Sequence, residues 1–284
     1  MTIRALISAG ELAACQAHGD VLVVDCRFAL ADPGQGEREY LAGHIPGAIH
    51  ASLDRDLSDL SKQGAGRHPL PGDLAFSALL SRWCWRPDLD VVAYDDAGGA
   101  LAAARLWWLL RLAGQDRARV LDGGLAAWRA AGYDLETGLS QRVATDVQVV
   151  LDRSQVVWFD ELERRRDEGV VLVIDARAAA RYRGEVEPVD AVAGHVPGAI
   201  NRPFAHNLDA RGHFKPAAQL REEFERALRG RAADTVAHMC GSGVTACHNL
   251  LAMEHAGLGG SRVFAPSWSG WISDRSRPVA TGSV

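Results

Sequence analysis

The chain has 284 residues and a net charge of −5, and its length suggests two domains rather than one. Hydrophobic residues make up 48% and charged residues 24%, which excludes a wholly disordered chain. The acidic balance argues against a broadly basic nucleic-acid-binding surface, and no apolar run approaches the roughly 18 residues of a membrane span. Because the N-terminal residues lack the apolar stretch of a signal peptide, we expect a cytoplasmic protein without nucleic-acid or membrane partners.

Strand and helix patterns alternate along the chain. Residues 21–25 form a short, β-branched apolar run, typical of a strand buried on both faces of a parallel sheet. A turn with Gly and Pro follows at residues 43–48, and the Ala- and Leu-rich residues 101–112 predict a helix. Residues 235–239 predict another strand, and a helix is expected to begin near Val244. The alternation predicts an α/β fold with a parallel sheet and helices on both faces.

The second half of the chain repeats the first. Gly-His-Ile-Pro-Gly-Ala-Ile at residues 43–49 returns as Gly-His-Val-Pro-Gly-Ala-Ile at residues 194–200. An apolar run that ends in Asp-x-Arg precedes both copies, and later markers keep the same order. These markers indicate duplication of a domain of roughly 130 residues. We therefore predict domains at residues 1–134 and 156–284, joined by a linker at residues 135–155.

The five cysteines do not form a paired pattern. Their number is odd and no Cys-x-x-Cys occurs, which argues against a disulfide scaffold and against a zinc ribbon. A functional cysteine therefore needs a local argument. Cys247 is expected to be a packing residue inside a helix, with redox regulation as the alternative.

Cys240 has such a local argument. It follows the strand predicted at residues 235–239 and begins the sequence Cys-Gly-Ser-Gly, which leads into a helix. Backbone N–H groups of a Gly-rich loop at a helix N-terminus favour an anion, so they favour a thiolate at Cys240. Matching the repeats places Asp96 opposite Cys240 in the first copy, which predicts that only the second copy is catalytic.

Two chemistries use an anionic cysteine in such a loop. Phosphate-ester hydrolysis by a Cys-x5-Arg loop would need an arginine at residue 246, which is Ala246. Sulfur transfer, in which the thiolate holds a sulfane sulfur as a persulfide, has no such requirement and remains.

These features together resemble the two-domain rhodanese-like sulfurtransferases over residues 21–278. The resemblance rests on the loop at residues 240–245, the duplicated turn, the Asp-x-Arg pairs and the Leu-Asp-Gly-Gly-Leu-x-x-Trp sequence at residues 121–128. The loop Cys-Gly-Ser-Gly-Val-Thr is similar to that of the mercaptopyruvate branch, whereas thiosulfate-preferring members have Cys-Arg-Lys-Gly-Val-Thr. The resemblance implies two tandem rhodanese-like domains, the first without a nucleophile, and no metal or organic cofactor.

The resemblance also implies roles for residues of the loop. Cys240 is the expected nucleophile and persulfide carrier. The expected anion-holding backbone amides lie within the loop: Gly241, Gly243, Val244 and Thr245. Ser242 would protonate the enolate left when pyruvate is expelled, together with His68 and Asp54 from the first repeat, although residues 54–56 permit a shift of the acid. The alternatives are a turn serine and an ordinary loop histidine.

Arginines are expected to bind the donor's carboxylate or sulfonate through paired hydrogen bonds. Arg181 and Arg183 lie in the matching Arg-Tyr-Arg-Gly stretch, and Arg181 is the better match. The second arginine of the mercaptopyruvate branch is absent from residues 185–190. Either Arg183 or Arg202 replaces it, or the donor preference has drifted.

The sequence thus predicts a sulfurtransferase that moves a sulfane sulfur from 3-mercaptopyruvate, through Cys240, to a thiol or to cyanide. The thiol acceptor is expected to resemble thioredoxin. The alternatives are thiosulfate:cyanide sulfurtransfer and a persulfide carrier that uses no small donor.

Overall fold

The computed structural model describes residues 4–19 and 21–283 and contains two compact units. The first unit comprises the chain up to Asp59 with Leu70–Arg153 and Ala210–Phe214. The second unit comprises Leu60–Pro69, Ser154–Asp209 and the chain from Lys215 onward. Each unit therefore includes a short segment from the other repeat. The predicted domains, residues 1–134 and 156–284, are continuous stretches and do not include these two exchanged segments. The predicted limits describe the sequence repeats, and as domain boundaries they stay a prediction.

The first unit contains a five-stranded parallel sheet in the order β1-β5-β4-β2-β3. Its strands are β1 (Leu6–Ile7), β2 (Val21–Asp25), β3 (Ile49–His50), β4 (Asp90–Tyr94) and β5 (Ala118–Leu121). Its helices are α1 (Ala9–His18), α2 (Gln35–Ala42), α3 (Asp73–Arg82), α4 (Ala103–Leu112) and α5 (Gly124–Ala130). Every residue of β2 is buried, as its apolar sequence predicts for a strand covered on both faces.

The second unit repeats this topology in a parallel sheet of order β6-β10-β9-β7-β8. Its strands are β6 (Val156–Val157), β7 (Leu172–Asp175), β8 (Ile200–Asn201), β9 (Val236–Met239) and β10 (Arg262–Phe264). Its helices are α6 (Phe159–Asp167), α7 (Ala179–Arg183), α8 (Ala217–Leu228), α9 (Thr245–His255) and α10 (Ser267–Trp271). Short 3-10 helices span Arg153–Gln155, Phe204–Asn207 and Ala233–Thr235. The shared strand order confirms the predicted α/β class and the duplication.

Each sheet packs on its own apolar core. Large members of the first are Ile7, Leu12, Val92, Tyr94, Leu121, Leu125 and Trp128. Large members of the second are Val157, Leu162, Tyr182, Met239, Phe264, Trp268 and Trp271. No helix in the described part of the chain is long and apolar enough to cross a membrane.

The Asp-x-Arg pairs fasten the first long strand of each unit to its Gly-His turn. Asp25 and Arg27 form a buried ion pair at 2.6 Å, and the same guanidinium donates to the carbonyl of Gly43 at 2.8 Å. Asp175 and Arg177 pair at 2.7 Å in the second unit. Because the arrangement is present in both units, it belongs to the fold rather than to the chemistry of one repeat.

Candidate active site

Cys240 lies directly after β9, in the loop that leads into α9. Its side chain is buried, and the backbone N–H of Gly243 donates to its Sγ at 3.1 Å. Gly243 adopts a positive φ of 77°, a conformation that costs glycine little, and this turns its N–H toward the sulfur. A backbone N–H directed at Sγ is the kind of donor that a negatively charged sulfur accepts. The equivalent roles of Gly241, Val244 and Thr245 stay predictions.

The N-terminus of α10 holds the backbone of the Cys240 loop. Ser267 accepts the N–H of Cys240 on its Oγ at 3.1 Å, and the carbonyl of Cys240 accepts the N–H of Trp268 at 3.0 Å. Ser267 has a φ of 53°, a left-handed conformation that costs a non-glycine residue about 1–3 kcal/mol. In this conformation its hydroxyl contacts the backbone of Cys240. Sequence reasoning missed Ser267; the available signal was that a glycine, Gly124, holds the matching place in the first repeat.

Ser242 and His68 form a buried pair within the second unit. Oγ of Ser242 lies 2.8 Å from Nδ1 of His68, and both side chains are under 10% exposed. The structure thus brings together two residues that are 174 positions apart in the chain. Ser242 lies in the loop that begins at Cys240, and His68 contacts it there, while the catalytic roles of both residues stay a prediction.

The segment Leu60–Pro69, which carries His68, packs closely on residues around α10. The N–H of Arg67 donates to Oγ of Ser269 at 2.9 Å, while the N–H of Ser269 donates to the carbonyl of Gly241 at 2.9 Å. Ser269 therefore joins this segment to the Cys240 loop. At Gly66, with a φ of 92°, an added Cβ would lie 2.4 Å from the carbonyl oxygen of Pro266, so only glycine fits.

Asp54 lies in a turn of the first unit, after β3. Its side chain is half-buried, and burial raises the pKa of its carboxyl. Its role as the acid partner of His68 stays a prediction.

Two guanidinium groups border the residue that follows Cys240. A Cβ added to Gly241 would lie 3.1 Å from Nη2 of Arg67 and 3.7 Å from both Nη1 and Nη2 of Arg181. Arg181 donates to Glu187 through Nε and Nη2, the latter at 2.6 Å. It also contacts Asp190 at 3.0 Å. Sequence reasoning identified Arg181 but missed Arg67.

The two arginines considered as replacements for the missing one are engaged elsewhere. Arg183 pairs with Glu185 at 2.6 Å on the surface. Arg202 is buried and pairs with Glu223 at 3.0 Å. Among the contacts of the described residues, neither touches the Cys240 loop. A donor-binding role for Arg183 therefore stays a prediction that no contact supports.

The residue of the first repeat that matches Cys240 is Asp95, and the predicted match with Asp96 was wrong. Asp25 of β2 lies opposite Tyr94 of β4 in the first sheet, and the equivalent Asp175 of β7 lies opposite Met239 of β9 in the second. Tyr94 and Met239 are therefore equivalent, and so are the residues that follow them, Asp95 and Cys240. The error arose because the sequence match paired Val91 of β4 with Thr235, whereas its structural equivalent is the next residue, Val236. Asp96 lies beside this position and is exposed.

The carboxylate of Asp95 occupies the anion-binding loop of the first repeat. It accepts four backbone N–H groups at 2.8–3.2 Å, from Ala97, Gly99, Leu101 and Ala103. Burial raises the pKa of this carboxyl, although the four donors act in the opposite direction. The loop of the first repeat therefore holds a carboxyl group at the place where the second repeat has a thiol.

Buried groups near the loop complete its surroundings. Cys247 is buried in α9, and its Sγ donates to the carbonyl of Gly243 at 3.3 Å, as expected of a packing residue. His238 is buried in β9, where burial and then the charge of Arg202 lower its pKa to about 3. His238 is therefore neutral near pH 7. Within the described ranges, no three His, Cys, Asp or Glu side chains are grouped so as to hold a metal ion.

The chain is similar to known proteins along nearly its whole length. A family model described as a rhodanese-like domain matches residues 8–131 and again residues 159–274. The chain is 49% identical to a Pseudomonas aeruginosa protein named "Probable 3-mercaptopyruvate sulfurtransferase", over 99% of this chain and 100% of that protein. It is 41% identical to a Mycobacterium tuberculosis protein named "Putative thiosulfate sulfurtransferase SseB", over 99% of this chain and 98% of that protein. Among solved structures, the 3-mercaptopyruvate sulfurtransferase from Leishmania major matches with a TM-score of 0.82 at 31% identity, over 94% of this chain and 73% of that chain.

Proposed function

This chain belongs to the rhodanese-like family of sulfurtransferases, and from that premise we propose that its sulfur donor is 3-mercaptopyruvate. The sulfur passes through a persulfide on Cys240 to a thiol, such as that of a thioredoxin-like protein, or to cyanide. The observation that carries the choice of donor is the 2.8 Å contact between Ser242 Oγ and His68 Nδ1.

The first half-reaction breaks the carbon–sulfur bond of the donor. The Cys240 thiolate attacks the donor sulfur, and the electron pair of the broken bond leaves with carbon as the enolate of pyruvate. The Gly243 N–H, 3.1 Å from Sγ, stabilises the thiolate and then the persulfide. The guanidinium of Arg181 binds the donor's carboxylate.

The enolate must gain one proton to leave as pyruvate. Ser242 delivers this proton through its hydroxyl, and His68 resupplies the hydroxyl across their hydrogen bond. Thiosulfate leaves sulfite instead, a stable anion that needs no proton at this step. A buried serine–histidine pair beside the nucleophile therefore favours mercaptopyruvate. Asp54 as the acid that orients His68 is part of the same proposal, as is the predicted cytoplasmic location.

Thiosulfate sulfurtransfer is the second candidate. Two guanidinium groups beside Gly241 provide positive charge for a dianionic donor, which is the observation in its favour. A persulfide carrier without a small donor is the third, and it would not need Ser242 or His68.

A side-by-side donor titration tests the proposal. Purified protein is given 3-mercaptopyruvate or thiosulfate with one reducing acceptor, and kcat/KM is compared. We expect a preference for mercaptopyruvate of at least tenfold, which corresponds to about 1.4 kcal/mol in transition-state binding. A preference for thiosulfate would overturn the choice of donor. The absence of a pyruvate burst and of turnover with either donor would favour the carrier.

A further inference from the structure

We propose that Arg67, held in place by Asp190, is the second donor-binding guanidinium of this site and sets its selectivity for donors with a carboxylate. The inference rests on the proposed function. It gives Arg67 the role of the second donor-binding arginine, which residues 185–190 lack. Asp190 stands in that stretch, and its role is to position Arg67.

Asp190 joins the two guanidinium groups. Its Oδ1 accepts from Nη1 of Arg67 at 2.6 Å, and its Oδ2 accepts from Nη2 of Arg181 at 3.0 Å. The carboxylate is only 4% exposed, whereas the arginines are 27% and 20% exposed. A buried carboxylate thus holds two partly exposed cations side by side.

The hydrogen bonds inside this cluster do not use every nitrogen of the two guanidinium groups. Arg181 uses Nε and Nη2 on Glu187 and Asp190, while Arg67 uses Nη1 on Asp190. Within the described residues, Nη1 of Arg181 and Nη2 of Arg67 make no such bond, and both lie beside Gly241. Two N–H donors from different arginines can bind the two oxygens of one carboxylate. Nε of Arg67 is buried and has no hydrogen-bond partner in the described part of the chain, so the acids seen here do not satisfy this guanidinium.

The backbone of Arg67 is fixed independently of its side chain. Its N–H donates to Ser269, and Gly66 packs against the carbonyl of Pro266, where no side chain fits. The guanidinium is therefore presented from a rigid segment, as selective recognition of a small donor requires.

The test compares donors with and without the carboxylate. Mercaptoacetone keeps the thiol and the ketone of 3-mercaptopyruvate and replaces the carboxylate by a methyl group. We expect R67M to lower kcat/KM for mercaptopyruvate at least tenfold, mainly through KM, and to change the value for mercaptoacetone less than twofold. R67K should recover part of the loss, because a lysine keeps the charge without the fork. D190N should also lower the ratio of kcat/KM for mercaptopyruvate to kcat/KM for mercaptoacetone, by a smaller factor than R67M. Arg164→Met, which removes an exposed arginine of α6, is the matched control and should leave both donors unchanged.

The outcomes separate this inference from the proposed function. Equal losses with both donors would assign Arg67 a purely structural role and overturn the inference. If R67M keeps the ratio of kcat/KM for mercaptopyruvate to kcat/KM for mercaptoacetone within twofold of the wild-type ratio, the inference is also overturned. The proposed function still stands in that case, provided that the wild-type protein turns over mercaptopyruvate. Wild-type protein that forms no persulfide from mercaptopyruvate would overturn both.

Discussion

Asp95 and Cys240 hold the same position in the two repeats, each directly after the central strand of its sheet. The backbone shows the equivalence: Leu125 N–H bonds to the carbonyl of Asp95 at 2.9 Å, and Trp268 N–H bonds to that of Cys240 at 3.0 Å. The following loop directs backbone N–H groups at both side chains. The same loop thus surrounds a carboxyl group in one repeat and a thiol in the other.

Removing the Asp95 carboxylate should destabilise the protein. In Asp95→Ala, four buried or partly buried N–H groups lose their acceptor, and we expect the free energy of unfolding to fall by about 2–4 kcal/mol. Urea denaturation measures the change. Asp96→Ala, at the exposed neighbour, is the matched control and should cost less than about 0.5 kcal/mol. Equal costs at both positions would contradict the assignment of the loop's acceptor to Asp95.

Ser242 and His68 should matter for one donor only. We expect Ser242→Ala and His68→Gln to lower kcat with mercaptopyruvate by about tenfold to hundredfold, because the enolate loses its proton source. Thiosulfate turnover is the internal control and should change less than threefold. Stopped-flow release of pyruvate and of sulfite follows the two half-reactions. A parallel loss with both donors would show that the pair maintains the loop rather than delivering a proton.

The persulfide should form on one cysteine. After exposure to the donor, intact-protein mass spectrometry should show one added sulfur in the wild type and in Cys247→Ser, and none in Cys240→Ser. Both thiols are buried, but Sγ of Cys247 donates to the Gly243 carbonyl inside α9, whereas Sγ of Cys240 accepts the Gly243 N–H in the loop beside the arginines. An added sulfur in Cys240→Ser would remove the central assignment.

Gly66 should be needed for activity and Gly64 should not. Both have positive φ, so alanine costs each about 1 kcal/mol of backbone strain. Only at Gly66 would the new Cβ collide with the carbonyl of Pro266, since nothing lies within 4 Å at Gly64. We expect Gly66→Ala to lower kcat/KM at least tenfold by moving Arg67 and His68, and Gly64→Ala to stay within twofold. Because both variants carry the same backbone strain, the difference in kcat/KM between them measures the effect of the collision at Gly66.

His238 should make the protein sensitive to acid. Its pKa is about 3 in the folded protein, against about 6.5 when the chain is unfolded, so between these values only the unfolded state is protonated. The free energy of unfolding therefore falls as the pH falls from 6.5 toward 3. Between pH 7 and pH 5 we expect the wild type to lose about 2 kcal/mol more than His238→Gln. Parallel pH profiles of the two proteins would contradict a neutral buried His238.

Local patterns predicted the repeat, the α/β class and the position of the Gly-rich loop between β9 and α9, since each depends on residues close together in sequence. The 21–25 strand is continuously apolar because both its faces are covered, and the Gly-rich loop predicts an anion site through its own backbone. Ser242 and His68 were found only through a family resemblance. Arg67 and Ser269 leave no local pattern, because their partners lie far along the chain. The match of Asp96 to Cys240 failed by one residue because strand ends are poorly marked in sequence.

The segment Leu60–Pro69 also bears on how a tandem gene can evolve. The unit that holds Cys240 includes His68 and Arg67, which the coding sequence places before the linker. A shortened gene starting at residue 154 would encode the thiol without either of them. Deletion of the first repeat would therefore also remove a segment of the unit that contains Cys240. If His68 and Arg67 act as proposed, the repeat without a matching cysteine supplies residues that the other repeat needs.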